Sequence, residues 1–156
     1  MAVGDQLLVP ATGHVRFDVP GCVTANGTWI TDAFSGYYGG TILDTNEVGS
    51  SLDFTFTGTS IEITGVTDYR TILQTTAQLW IDGINRATIS NYNAAINMQD
   101  AALQRSIACI TGLSSGTHTG KIVNMESKYL IVDAIDVDTG CTVTPASSVT
   151  RRRGVF

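Results

Sequence analysis

Residues 50–66 read SSLDFTFTGTSIEITGV and carry the clearest strand signal in the chain. Leu52, Phe54 and Phe56 alternate with Asp53, Thr55 and Thr57 before TGTS turns the chain into Ile61 and Ile63. A period of two sends one set of side chains into a core and the other into water, so the stretch predicts a strand, a tight turn and a second strand in a hairpin. Working outward, AQLWIDGINRATI at 77–89 places Ala77, Leu79 and Ile81 on one face and Gln78, Trp80 and Asp82 on the other. Its Asp-Gly pair is a strong hairpin signal and predicts 77–81 pairing antiparallel with 86–90. Further strands are expected at TWITDA (28–33), TILDT (41–45), RSIACITGL (105–113), HTGKIVNM (118–125) and YLIVDAIDV (129–137). GYYGG at 36–40 reads as an aromatic loop, and the Asn-rich 91–104 as a long loop with one helical turn. About eight short strands between Gly/Asn/Asp turns, with no helix of about ten residues, predict an all-β chain: an antiparallel β-sandwich or jelly roll.

Prolines at 10, 20 and 145 bound short extended pieces at both ends, which predicts an N-terminal arm over 1–27, a sandwich over 28–137 and a C-terminal tail over 138–156. At 156 residues the chain is long enough for one domain with a core of its own. It is 43% hydrophobic and only 15% charged, against a typical ~25%, which leaves room for a partner surface. Residues 1–150 hold six Lys/Arg against all 14 Asp/Glu, 6 − 14 = −8, while the remaining three positive charges are Arg151, Arg152 and Arg153. An acidic body argues against nucleic-acid contact through the domain face, and three arginines are too few to argue for it. No apolar run reaches the ~18–20 residues of a membrane span. MAVGDQLLVPATGHV lacks the basic and apolar regions of a secretory signal, so synthesis in a host cytoplasm is the expectation. Cys109, in the strand-like SIACI, reads as a small buried hydrophobe. Cys22 and Cys141 lie at the two ends of the expected sandwich, and the sequence leaves a bridge between them open.

The SLDFTFTGTSIEITG and AQLWIDGINRATI segments, the GLSSGTHT turn and the terminal IVDAIDV strand together resemble the galactose-binding-like β-sandwich. This jelly roll occurs in carbohydrate-binding modules, hydrolases and phage structural proteins. The family turn G-L-x-x-G-x-H falls here on Gly112, Leu113, Gly116 and His118. The resemblance spans residues 28–137 and implies the fold, with ligand contacts, where members have them, on the loops at the sandwich ends. It also implies that calcium can stabilise such domains. Asp32, Asp44, Glu47, Asp133 and Asp136 are the carboxylates near suitable positions, but no spaced Asp/Asn ladder supports them and turn capping is the favoured reading. No metal or other cofactor is expected.

Catalytic patterns are missing. The two histidines, His14 and His118, form no nucleophile constellation, and His118 reads as a structural hydrogen-bonding group of its turn. Asp133 and Asp136 would project to opposite sheet faces by their odd offset, so they fail as an acid/base pair. No enzyme is expected. For sugar binding, aromatic faces beside hydrogen-bonding groups are required. Tyr37, Tyr38, Tyr69 with Arg70, and Tyr92 with Asn91 sit in expected loops and are the candidate glycan contacts. Trp29 reads as core. Trp80 lies on the polar face of its strand and, with Arg151, Arg152 and Arg153, is a candidate for assembly contacts.

Two functional expectations follow. The first is a non-catalytic virion component, such as a head-decoration, tail or baseplate protein, forming a homo-oligomer and meeting neighbouring virion proteins through its arms. The second is a carbohydrate-binding module or adhesin that grips surface glycans through its tyrosine loops.

Overall fold

In the computed structural model, the alternation at 50–66 yields two strands that do not pair with each other. The structure describes residues 8–9, 13–16, 23–33, 41–67, 71–92, 103–138 and 141. Strand β6 (Ser51–Thr57) lies at the heart of one sheet and β7 (Ile61–Thr67) at the heart of the other. The short link between them therefore crosses the sandwich instead of closing a hairpin. Gly58 makes the crossing feasible, since a Cβ there would lie 2.6 Å from Val137 Cγ1. Asp138 fixes it: its Oδ1 accepts from Thr59 N (2.7 Å) and Ser60 N (3.2 Å).

The first sheet runs β1 (Leu8–Val9), β6, β11 (Thr117–Val123), β8 (Ala77–Ile81), β9 (Ile84–Ile89), with β3 (Thr24–Asn26) also on β6. The second runs β10 (Leu103–Ile110), β7, β12 (Leu130–Val137), β5 (Thr41–Thr45), β4 (Ile30–Ala33), with β2 (Gly13–Arg16) also on β12. All pairings are antiparallel except β1 on β6. Among the described residues a single 3-10 turn, Thr71–Leu73, is the only helical element. The protein is thus an all-β sandwich.

The core forms where the inward faces meet. Leu52, Phe54 and Phe56 of β6, Leu79 and Ile81 of β8, and Ile122 of β11 bury against Ile61, Ile63, Val132 and Ile135 of the second sheet. Phe54 and Phe56 pack with ring centroids 6.2 Å apart. A Cβ at Gly120 would collide with the Phe54 ring, so β11 can lie close over it only with glycine there. Trp29 is half-buried against this core, its indole N–H donating to Asn26 O.

Two expectations are corrected. The disulfide joins Cys109 of β10 to Cys141, with Cα atoms 5.7 Å apart, so Cys109 is no simple hydrophobe; Cys22 lies outside the described residues. The sequence could not reveal this because β10 and the chain beyond β12 become neighbours only through the second sheet. In β12, a bulge between Val132 and Ala134 resets the alternation, so Val132 and Ile135 both face the core. The odd offset therefore does not separate Asp133 from Asp136, and both are buried.

Candidate functional site

The outer face of the first sheet carries a groove of about 560 Å³. Strict alternation builds it. With Leu52 and Phe54, Leu79 and Ile81, and Gly120 and Ile122 turned inward, the residues between them turn outward: Asp53 from β6, Gln78 and Trp80 from β8, Thr119, Lys121 and Val123 from β11. Lys121 is the cross-strand partner of both Asp53 and Trp80, which places their Cβ atoms within about 5 Å of its own. Gly83, in the β8–β9 turn, closes one end.

Trp80 is half-buried, and its Nε1–H donates to Gln78 Oε1 at 3.0 Å. That bond engages the edge of the indole, so what the ring offers the groove is apolar surface and π face. Asp53 Oδ2 accepts from Asn26 Nδ2 at 2.8 Å, which leaves Oδ1 for another donor. A bulge in β9 sits beside Trp80: Leu79 pairs with Ala87 but Trp80 with Asn85, so Asn85 and Arg86 together oppose Trp80. Both are exposed.

The turn at the groove's end is tightly held. Asp82 (φ 52°) and Gly83 (φ 80°) both have positive φ, the signature of a type I′ hairpin turn. Asp82 Oδ1 accepts from Thr119 N at 2.9 Å, and Oδ2 lies 2.6 Å from His118 Nδ1. His118 is buried, packs on Phe56 (5.3 Å between centroids) and directs Nε2 at Ser114 O, 2.7 Å away. A carbonyl can only accept and a carboxylate accepts when ionised, so the ring meets both best as an imidazolium. The Asp82 hydrogen bond raises the His118 pKa above 6.5 and, with the Thr119 amide, lowers that of Asp82 below 3.8.

The sequence-based candidates scatter. Tyr37, Tyr38, Tyr69, Arg70, Arg151, Arg152 and Arg153 lie outside the described residues. Asn91 is fully buried, with its amide bound to the backbone of β7 and β12. Tyr92 is half-buried, its N–H donating to Ser90 Oγ. Of that set the structure places Trp80 in the groove. Its neighbours Asp53, Thr119 and Lys121 escaped the sequence reading although alternation marks each as outward, because nothing local says that β6, β11 and β8 are adjacent. A smaller depression of about 240 Å³ is lined by Thr71, Ser127, Lys128 and Tyr129.

Among the calcium candidates, Glu47 accepts from Thr28 N, Thr28 Oγ1 and Ser50 Oγ, bonds that hold its pKa below the ordinary value. Asp44, Asp133 and Asp136 are buried in the second sheet, and the side chain of Asp32 lies outside the described residues. Among the described residues no three His, Cys, Asp or Glu side chains gather as a metal ion requires.

No family model matches the chain. Over 97 residues it is 34% identical to the A type blood N-acetyl-alpha-D-galactosamine deacetylase of Flavonifractor plautii, a match that takes in 62% of this chain but 11% of that protein. In structure it is similar to a family 35 carbohydrate-binding module from an environmental isolate (TM-score 0.61, 20% identity, 86% of this chain and 98% of that one). It is also similar to the CBM36-1 domain of a multidomain xylanase from the hindgut metagenome of Trinervitermes trinervoides (TM-score 0.52, 13% identity, 79% and 93%). The likenesses in structure show the fold, and none of these matches lends anything to a virion role or to homo-oligomer assembly. With its two antiparallel sheets, the chain has the galactose-binding-like jelly-roll fold found in carbohydrate-binding modules.

Proposed function

We propose that this protein is a glycan-binding module whose site is the groove at Trp80. The observation that carries the reading is the indole itself. It lies half-buried on the polar face of a sheet, its edge held by Gln78, in a groove rimmed by the Asp53 carboxylate, the Thr119 hydroxyl and the Lys121 ammonium. A pyranose offers an apolar C–H face flanked by hydroxyls, and this arrangement matches both halves: aromatic surface for the face, donors and acceptors for the rim. The similarity to carbohydrate-binding modules and to a deacetylase acting on a glycan supports it. The Cys109–Cys141 disulfide fits work in an oxidising compartment, where glycans at cell surfaces are met.

The test is a glycan array, including N-acetyl-α-D-galactosamine-terminated oligosaccharides, probed with the wild type and with Trp80→Ala. The substitution is expected to weaken binding by about 2 kcal/mol or more, roughly thirtyfold. Because Trp80 lies outside the core, the melting temperature should move little. Binding unchanged by Trp80→Ala would remove the groove from consideration and leave the Thr71–Tyr129 depression to be examined.

A further inference from the structure

We propose that the groove selects acidic glycans, those bearing a carboxylate or sulfate group, through Lys121 and Arg86 on either side of Trp80. This rests on the groove being the glycan site. The two cations come from different strands: Lys121 faces Trp80 across the β8–β11 ladder, and Arg86 is the added residue of the β9 bulge that opposes Trp80 from the other side. Both are exposed, and among the described residues neither has a carboxylate within ion-pair distance.

The nearby carboxylates offset them only in part. Asp53 faces Lys121 across the ladder, and the neutral Asn26 amide that donates to its Oδ2 leaves its single negative charge in place. Asp82 is committed to His118 and the Thr119 amide, and its charge is matched there by the imidazolium. The outer face around Trp80 therefore carries Lys121 and Arg86 against Asp53, a local excess of positive charge beside an aromatic platform. A bulge is a built feature that re-aims side chains, and here it adds a guanidinium, a group suited to bidentate contact with carboxylate or sulfate. An acidic sugar stacked on the indole would put its anionic substituent within reach of one cation or the other.

Calorimetric titration with three probes tests this: an oligogalacturonate, a sulfated galacto-oligosaccharide and the uncharged galacto-oligosaccharide. The wild type should bind an acidic probe about tenfold or more tighter than the neutral one, with the preference shrinking at high salt. Arg86→Gln, at a position outside the groove's lining, should shrink that preference while leaving the neutral affinity as it was, and Lys121→Gln with Arg86→Gln should abolish it. Both positions are exposed, so the melting temperature serves as a control for folding. Which acidic probe wins separates carboxylate from sulfate recognition. Equal affinity for all three, unchanged in the double variant, would overturn the proposal and leave the glycan reading standing. Failure of every probe, together with a blank array, would overturn both.

Discussion

At Asn91 one side chain takes over from a strand ladder. The paired residues of β7 and β12 end at Gly65 and Val132, and just beyond them the Asn91 amide donates to Val66 O (2.6 Å) and Ile131 O (2.8 Å) and accepts from Ile131 N (2.8 Å). It thereby satisfies backbone groups that the bulge in β12 has pulled out of register. Asn91→Ala strands these groups in a buried site. At about 1–3 kcal/mol for each unsatisfied partner, partly relieved by relaxation, the expected loss is about 3 kcal/mol in chemical denaturation. A loss under about 0.5 kcal/mol would show that β7 and β12 close up without it. Nothing at the sequence level marked this role. Asn91 in SNYNA has the composition of a loop, and its burial is set by strands 25 and 40 residues away.

The β8–β9 hairpin ties turn chemistry to pH. His118, raised above 6.5 chiefly by its bond to Asp82, contributes stability in full below 6.5, and that contribution is lost as pH rises through the raised folded value. Asp82, lowered below 3.8 chiefly by the same bond, contributes above 3.8 and loses that as pH falls through its own lowered value. The pair is therefore at full strength between about 4 and 6.5. Melting temperature should decline from pH 6 toward alkaline pH, and His118→Gln should flatten that limb specifically. A parallel decline in the variant would assign it to other groups. This hairpin was the most legible element, because Asp-Gly between alternating strands specifies both turn and pairing. The link at 57–61 looked equally like a hairpin and is not one. Alternation says which residues face a core but not which sheet a strand joins, and that choice rests on Asp138 and Val137, almost eighty residues further along. The groove was illegible for the same reason. Trp80 announced itself by standing on a polar face, whereas Lys121 and Asp53 became its neighbours only once β11 lay between β8 and β6.

For the molecule as a whole, the two sheets carry different loads. The first presents Trp80 and its cations outward, and the second holds the buried carboxylates and the disulfide between Cys109 and Cys141. That bridge closes a loop of 32 residues containing β11 and β12, so it ties the β10 edge to the end of the last described strand. In the chain-entropy picture such a loop contributes about 4 kcal/mol by restricting the unfolded chain. For a domain of this size each kcal/mol corresponds to about 2–4 °C in melting temperature, so reduction or Cys109→Ala should lower it by about 10 °C. The groove lies on the opposite sheet, and at room temperature glycan affinity should survive the loss of the bridge. Peptide mapping of the unreduced protein decides the connectivity directly: a fragment linking Cys109 to Cys141 is expected, and one linking Cys22 to Cys141 would overturn it. If reductant instead weakened glycan binding as strongly as it lowered the melting temperature, the two sheets would be coupled more closely than their separate surfaces imply, and the groove would depend on the whole sandwich rather than on β6, β11 and β8 alone.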